Sequence, residues 1–414
     1  MSIKSKLINK EIREFFPIFK HQPNLVYLDS AATALKPFSV IQAVEDYYQK
    51  YSINTHSEGS GSLAQKVQIT IQQTRQLVAQ RINARSEEVI FTPSATYAFN
   101  ILALSLKSYC QKDDKILLTH LEHSSNCYPW QALAQDIGVQ VNFLPLDKKL
   151  TVDLNLLNKH IDQTTKIVSL VHLSNSLGVI NPLKKIVHNI RAINPNCWVI
   201  VDACQSFAHL PIDVQEWDID ALVFSGHKIG GPTGIGGLWI KKTRGEKLPE
   251  VLWGGGKKNS PLETPYYGLP LVQKFEVGTL PLAQIFGLKK SLEFLSGWEV
   301  KEIVRFEREL KNYALNELIK LKKIILYNQN LETVDIVLFN LEGFHAHDVA
   351  DYLGRNEVYV RAGNFCCPFL EKLIGVSAAV RVSFFIYNTK KDIDKLIYYL
   401  KLVIDDPQLL VALE

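Results

Sequence analysis

The sequence predicts an α/β protein whose larger part contains a mostly parallel sheet and whose C-terminal part is a smaller α+β unit. Continuous apolar runs at 166–174, 198–203 and 221–226 alternate with helix-like stretches. Such runs are typical of strands that are buried on both faces of a parallel sheet. A chain of 414 residues is also long enough for two domains.

The C-terminal part shows a different pattern of elements. It contains predicted strands at 333–341, 358–363 and 379–388, a helix at 345–355, and a last helix with Ile393, Leu396, Ile397 and Leu400 at helical spacing. We therefore expect a large domain over residues 25–285 and a small domain composed of residues 1–24 and 286–414. Ligands of parallel sheets bind outside the carboxyl ends of the strands, which is where Asp202 and Lys228 fall.

Composition and charge argue against several classes of function. The formal net charge of +4 comes from 46 basic and 42 acidic residues, so nothing favours a nucleic-acid or membrane partner. Residues 1–16 have no uninterrupted apolar stretch and no segment approaches ~18 apolar residues, so we expect neither a signal peptide nor a transmembrane helix. The six cysteines form no C-x-x-C pair, which favours free thiols in a reducing, cytoplasmic compartment and no metal site.

The strongest local signal is a glycine-rich segment at 224–237 that follows a predicted strand and contains Lys228. A lysine that forms a Schiff base must be able to lose its proton, which burial and neighbouring cations promote. Glycines allow the backbone to approach a flat ligand closely. The alternative is a glycine-rich turn with one surface lysine.

Asp202 ends the apolar run at 198–203. A carboxylate at a buried strand end is costly unless it meets a cation. The pyridinium nitrogen of pyridoxal 5′-phosphate (PLP) is such a cation, and a carboxylate beside it keeps the ring an electron sink. Gln205, three residues later, could reach the ring hydroxyl. A helix cap or a surface acid is the alternative for Asp202.

Two further segments offer ligand-binding groups. In the segment 93–104, Ser94 or Thr96 can cap a helix whose N-terminus would bind a phosphate, although a simple capped helix explains the same pattern. His123 lies in a loop after a predicted strand, where it could stack on a ligand or protonate it. The alternative is a structural histidine.

A cysteine loop with two arginines is the last candidate. Arg361 precedes Cys366 and Cys367, and Arg381 follows them. The planar fork of arginine suits a carboxylate, and a cysteine in a glycine-containing loop can be exposed and nucleophilic. Composition alone does not choose between the two cysteines, and two buried cysteines in a turn remain the alternative.

Taken in order, these segments resemble the class V aminotransferase-like branch of fold-type I PLP enzymes and, within it, the SufS-type (group II) cysteine desulfurases. The resemblance extends from residue 27 to residue 389. Its landmarks are YLDSAAT, LEHSSNCYPW, HLSNSLG, VDACQS, FSGHKIGGPTGIG, FEVGT, RAGNFC and VRVSFFIYNT. The R-x-G-x-x-C pattern that ends at Cys366, with Arg381 fifteen residues beyond it, is similar to that of short-loop desulfurases.

The resemblance implies a large domain with a mostly parallel seven-stranded sheet and a role for each candidate residue. Lys228 would carry PLP as a Schiff base, and His123 would stack on the ring and help proton transfer. Arg381 would bind the substrate carboxylate with help from Arg361, and Cys366 would take the sulfur. The other contacts would be Asp202 with the pyridine nitrogen, Gln205 with the ring oxygen, Asn175 near the ring and substrate, and Thr96, Ser225, His227 and, from the second subunit, Thr279 with the phosphate.

The implied activity converts L-cysteine to L-alanine and leaves a persulfide on Cys366 for an acceptor thiol. The resemblance also implies a cytoplasmic homodimer that supplies iron–sulfur cluster assembly, with an acceptor protein of SufE-like or SufU-like type. Three alternatives remain open. They are a selenocysteine lyase, a PLP-binding sulfur-relay protein with little turnover, and a plain aminotransferase, which Cys366 disfavours.

Three segments depart from the pattern of the family. The family commonly has His-Arg-Gly, Gly-Thr-Thr and His-His where this chain has His56-Ser-Glu-Gly59, Ser94-Ala95-Thr96 and Asn364-Phe365, respectively. The second change removes one hydroxyl from the expected phosphate site. The first and third lie near the expected access for substrate and acceptor, so they bear on acceptor identity and turnover more than on the reaction.

Overall fold

The structure is a computed structural model that describes residues 10–53, 61–255 and 269–410. The departure from the family pattern at 56–59 lies outside the described residues. Residues 1–9, part of the N-terminal segment for which no signal peptide is expected, also lie outside them.

Strands and helices alternate along the first part of the chain, and the bounds of the elements of the described residues are as follows. The strands are β1 (Val26–Tyr27), β2 (Val89–Thr92), β3 (Lys115–Leu118), β4 (Gln140–Phe143), β5 (Thr165–Val171), β6 (Trp198–Asp202), β7 (Ala221–Ser225), β8 (Gly236–Ile240), β9 (Ile324–Leu326), β10 (Ile336–Leu341), β11 (Val358–Tyr359), β12 (Arg361–Gly363) and β13 (Ala379–Ser383). The helices are α1 (Ile18–His21), α2 (Phe38–Asp46), α3 (Ser62–Arg81), α4 (Ala95–Leu106), α5 (Tyr128–Ile137), α6 (Leu154–His160), α7 (Leu183–Ile193), α8 (Ser206–His209), α9 (Val214–Trp217), α10 (Lys242–Gly245), α11 (Leu271–Phe275), α12 (Leu282–Leu295), α13 (Val300–Leu318), α14 (Ala346–Arg355), α15 (Leu370–Ile374) and α16 (Lys390–Asp405).

The larger sheet has seven strands in the order β2-β8-β7-β6-β5-β3-β4. From β7 to β4 all neighbours are parallel, whereas β8 is antiparallel to both β7 and β2. The predicted α/β fold with a mostly parallel seven-stranded sheet is thus confirmed.

The two faces of this sheet are covered by separate apolar cores. Val199 and Val201 of β6 belong to one core with residues of α3, α7 and α12. Trp198 and Ile200 belong to the other core with residues of α4 and α5. Every residue of β6 is therefore buried, which explains the continuous apolar run in the sequence. The same layering brings the carboxyl ends of β5, β6 and β7 to one edge of the sheet.

The C-terminal sheet is antiparallel, with the order β12-β13-β10-β9, and its core includes residues of α13, α14 and α16. The strand predicted at 358–363 is two short strands, because β11 pairs with β1 whereas β12 pairs with β13. The strand predicted to reach residue 388 ends at Ser383. Beyond it the chain turns, since the N–H of Phe385 donates to Oδ1 of Asn388 at 2.8 Å.

The start of the predicted large domain lies against the C-terminal part of the chain. β1 pairs in parallel with β11, and Asp29 forms an isolated bridge with Ser383. The predicted boundary at residue 285 falls within α12. The division into 25–285 and 1–24 with 286–414 therefore stays a prediction.

All six cysteines are free thiols, of which only Cys366 is exposed. Within the part of the chain that the structure describes, no helix is both long and apolar enough to cross a membrane. The same residues contain no group of three His, Cys, Asp or Glu side chains that could hold a metal ion.

Candidate active site

A cavity of about 170 Å³ opens at the carboxyl ends of β5, β6 and β7 and also borders the loop that follows β12. Eleven of the twelve predicted site residues line it, and Thr279 is the exception. The eleven are Thr96, His123, Asn175, Asp202, Gln205, Ser225, His227, Lys228, Arg361, Cys366 and Arg381. Residues that are far apart in the sequence thus form one site.

Lys228 lies in a 3₁₀ turn directly after β7. The turn requires glycine at position 226, because a Cβ atom there would lie 2.8 Å from Cγ2 of Ile235 and 2.9 Å from its carbonyl oxygen. Gly230 has a φ of +79°, a value that glycine adopts at little cost. This turn presents the half-buried Lys228 to the cavity.

Asp202 is the last residue of β6 and is 4% exposed. Its Oδ1 atom accepts the N–H of Cys204 at 2.8 Å. Gln205 is also buried, and its Nε2 donates to the carbonyl oxygen of Ala31 at 2.7 Å. Because a buried carboxylate is costly unless it meets a cation, this wall of the cavity favours a ligand with a positively charged ring nitrogen.

The imidazole of His123 is held by its own loop, since Nδ1 accepts the N–H of Ser125 at 3.1 Å. Burial, followed by the positive charge of Lys228, lowers the pKa of His123 to about 4. The ring is therefore neutral at physiological pH. With Nδ1 accepting, its proton lies on Nε2. A neutral ring at this position can stack on a flat ligand and donate one hydrogen bond.

The N-terminus of α4 forms one end of the cavity. Ser94 caps this helix by accepting a backbone N–H at 3.1 Å, and the hydroxyls of Thr96 and Ser125 are hydrogen-bonded at 2.7 Å. Ser225 and His227 line the same cavity. Burial lowers the pKa of His227 to about 4, so this ring would offer a hydrogen bond and no charge. A helix N-terminus with surrounding hydroxyls suits a phosphate.

Arg381 is 1% exposed and is oriented by two partners. Its Nη1 donates to the carbonyl oxygen of Asn175 at 2.7 Å, and its Nη2 donates to Oδ1 of Asp29 at 2.7 Å. The buried Nε of Arg381 and the buried Oδ1 of Asn175 have no hydrogen-bond partner within the described residues. Buried polar groups in native structures are normally satisfied, so these two atoms favour a polar ligand.

The two adjacent cysteines have different surroundings. Cys366 is exposed, and its Sγ lies 4.0 Å from Nη2 of Arg361. Cys367 is fully buried, and its Sγ donates to the carbonyl oxygen of His120 at 3.5 Å. Burial raises the pKa of Cys367 to about 11. Because the thiolate is the reactive form, the geometry favours Cys366 as the nucleophile.

Thr279 is exposed and lies outside the residues that line the cavity. The chain just before it is fixed by a buried ion pair between Nη1 of Arg75 and Oε1 of Glu276 at 2.7 Å. The same carboxylate oxygen accepts the N–H of Phe91 at 2.7 Å. The predicted contact of Thr279 with a phosphate in a second subunit stays a prediction.

The sequence argument missed Asp29, Ser125 and Cys204 as residues of this site. Ser125 and Cys204 line the cavity, and each lies two residues after a predicted site residue, within the landmarks LEHSSNCYPW and VDACQS, so the signal was the motif itself. Asp29 lies 352 residues from Arg381 in the sequence. Its pairing therefore left no local signal.

The fold and the cavity define a class of protein, the fold-type I PLP proteins, because a lysine follows β7 and a buried carboxylate ends β6 of the parallel sheet. Within this class, the chain belongs to the aminotransferase class-V family, whose model matches residues 26–396.

Known proteins resemble this chain over most of their length. The chain is 40% identical over 396 residues to the probable cysteine desulfurase of Halalkalibacterium halodurans, and the match covers 93% of this chain and 95% of that protein. The solved cysteine desulfurase of Thermococcus onnurineus NA1 is 31% identical with a TM-score of 0.90, and the match covers 98% of this chain and 100% of that one. The cysteine desulfurase CsdA of Escherichia coli is 31% identical with a TM-score of 0.89, and the match covers 97% and 99% of the two chains.

The residues around the cavity fit PLP. Lys228 can form an imine, Asp202 is a buried carboxylate, and His123 offers a neutral ring. The hydroxyl-lined N-terminus of α4 suits the phosphate. The unpaired buried atoms of Asn175 and Arg381 leave acceptor and donor capacity for a ligand that carries both amine and carboxylate groups.

Proposed function

We propose that this chain is a PLP-dependent cysteine desulfurase that converts L-cysteine to L-alanine and transfers the sulfur, as a persulfide on Cys366, to an acceptor thiol. One observation carries the proposal. A single cavity joins Lys228, Asp202 and His123 to an exposed cysteine and a buried arginine fork. An aminotransferase has no use for an exposed thiol in that position.

The cofactor would be held from three sides. Lys228 would bind it covalently, Asp202 would pair with the pyridine nitrogen, and His123 would stack on the ring. Gln205 would contact the ring oxygen, and Asn175 would lie between ring and substrate. The phosphate would be bound by Thr96, Ser225, His227 and Thr279 of the partner subunit. When bound, PLP supplies an electron sink for charge that develops on the substrate Cα.

The chain's own residues would orient the substrate and move the proton. Arg381 would bind the substrate carboxylate through its unpaired donor, and Arg361 would contribute from the side of the thiol. The amine of Lys228, once released from the cofactor, would take the proton from the substrate Cα. The ion pair with the partly buried Asp29 keeps the fork of Arg381 fixed before the substrate arrives.

Cys366 would then carry out the sulfur step. Its thiolate attacks the substrate sulfur, an S–S bond forms, and the Cβ–S bond breaks. The electron pair of the broken bond stays with Cβ, which takes a proton, so the carbon is reduced to the methyl group of alanine and the two sulfurs are oxidised to a persulfide. The acceptor thiolate attacks the outer sulfur and releases the Cys366 thiolate.

The acceptor would be a protein of SufE-like or SufU-like type, and the sulfur would supply iron–sulfur cluster assembly. The six free thiols favour the cytoplasm, where cysteines stay reduced. Incubation with L-cysteine and each candidate acceptor, with alanine and sulfide measured together, tests the activity. Faster turnover of L-selenocysteine than of L-cysteine would reassign the enzyme as a selenocysteine lyase, and release of an oxo-acid would overturn the proposal.

The active form would be a homodimer in which Thr279 reaches the neighbouring phosphate site. Exposed apolar side chains on α4 and α5, namely Tyr97, Leu104 and Tyr128, support an interface beside the cavity. Monomeric protein should then bind PLP weakly. Analytical ultracentrifugation of a dilution series gives the association state, and the cofactor content is measured at each protein concentration. A monomer with full cofactor content would refute the shared site.

A further inference from the structure

The loop that carries Cys366 has an unusual backbone. Phe365 and Cys366 have φ angles of +58° and +55°, so two consecutive residues with side chains occupy the left-handed region. This region is unfavourable for residues other than glycine, asparagine and aspartate, and it persists only where surrounding contacts enforce it. Because the backbone determines where Sγ of Cys366 points, those contacts also place the thiol.

Three polar side chains hold this backbone. The carbonyl oxygen of Cys366 accepts two hydrogen bonds from Ser124, one from its N–H at 2.8 Å and one from its Oγ at 2.9 Å. The N–H of Cys366 donates to Oδ1 of Asn364 at 3.1 Å. The carbonyl oxygen of Phe365 accepts from Nδ2 of Asn175 at 2.8 Å. Both peptide groups that flank the Cα of Cys366 are therefore fixed.

The same contacts connect the thiol to the rest of the site. Ser124 directly follows His123, so the loop beside the predicted ring-stacking residue also holds the carbonyl of Cys366. Phe365 is 3% exposed, and its ring centroid lies 4.9 Å from the guanidinium carbon of Arg381. A cation over an aromatic face is a favourable contact. The thiol, the aromatic ring and the carboxylate-binding arginine are thus parts of one packed unit.

We propose that Ser124 and Asn364 are positioning residues for sulfur transfer. They hold Cys366 in the left-handed conformation that keeps its Sγ at the cavity, 4.0 Å from Nη2 of Arg361, while the thiol stays exposed to an acceptor. The inference rests on the proposed function, because it concerns how the thiolate meets the substrate sulfur. Neither Ser124 nor Asn364 lines the cavity, so their loss should slow formation of the S–S bond without weakening cofactor or substrate binding.

The kinetic test compares Ser124→Ala, Asn364→Ala and the double variant with Asn364→Asp, which keeps an oxygen acceptor for the N–H of Cys366. Ser108→Ala and Asn158→Ala, at exposed positions, are matched controls. The double variant should lower kcat for alanine formation by about tenfold or more, with KM and PLP content changed by less than about twofold. Asn364→Asp should recover most of the kcat.

Hydrogen exchange of the PLP-loaded protein, without cysteine, gives a second readout. The backbone amides at positions 124 and 366 should exchange about tenfold faster or more in the double variant than in the wild-type protein, with other regions unchanged. An unchanged kcat, unchanged exchange, or a loss of PLP that parallels the loss of kcat would overturn the inference. If the wild-type protein releases no alanine, the proposed function fails, whereas the exchange rates still test the two contacts.

Discussion

Arg381→Lys separates substrate recognition from folding. Arg381 is 1% exposed, donates to Asp29 and Asn175 at 2.7 Å each, and keeps an unpaired Nε. Lysine retains a positive charge beside Asp29 but lacks the planar fork. Loss of one charge-assisted hydrogen bond costs about 1.5–3 kcal/mol, and about 1.4 kcal/mol is a factor of ten. The KM for cysteine should therefore rise about tenfold to a hundredfold.

The assay follows alanine release over a range of cysteine concentrations, with cofactor content measured from its absorbance. Arg355→Lys is the matched control, because Arg355 is partly exposed and pairs with Asp351 on the surface of α14. Lysine is preferred to alanine at position 381 because alanine would also leave the partly buried Asp29 without its ion-pair partner, and the loss of one partner of such a pair is destabilising. An unchanged KM in Arg381→Lys with full cofactor content would mean that another group binds the carboxylate.

Three further predictions follow from the site and its surroundings. Borohydride should fix the cofactor to the Lys228 peptide of a yellow protein, and label on another lysine would overturn that assignment. Cys366→Ala should abolish sulfur transfer, whereas Cys367→Ala should keep most of the activity, because Cys367 is buried with its pKa raised to about 11. A fully active Cys366→Ala protein would refute this. Burial alone would lower the pKa of His209, but neighbouring carboxylates, Glu307 foremost, outweigh it and raise the pKa to about 9 from 6.5. The stability contributed by protonated His209 is therefore complete below pH 6.5 and is lost as the pH rises through about 9. The Tm of the wild-type protein should fall across this interval, and that of His209→Gln should fall less. Equal slopes of Tm against pH in the two proteins would contradict this prediction.

The sequence predicted the elements whose signal is local. Apolar runs buried on both faces marked β5, β6 and β7, and the glycine-rich turn marked Lys228. The antiparallel placement of β8 between β2 and β7 was beyond such reasoning, because strand direction within a sheet depends on the path of the whole chain. The division of residues 358–363 into two strands has the same cause, since the two halves pair with different partners.

Side-chain pairs across the fold were the second limit of the sequence argument. Nothing near Arg381 indicates that Asp29 orients it, and nothing near Cys366 indicates that Ser124 holds its carbonyl oxygen. The Asn364-Phe365 departure is now explained in part. Asn364 accepts the N–H of Cys366, and the buried ring of Phe365 packs against Arg381. Two residues that the family pattern marked only as missing histidines therefore have contacts of their own.

The most direct test of the proposed function is to place the sulfur after a single turnover. The PLP-loaded protein is mixed with L-cysteine in the absence of an acceptor, alanine is quantified, and the digested protein is analysed by mass spectrometry under non-reducing conditions. The proposal predicts alanine in a one-to-one ratio with enzyme sites and the mass of one added sulfur atom on the peptide containing Cys366, lost when that residue is replaced by alanine. Alanine without added sulfur on Cys366, or no alanine at all, would contradict it.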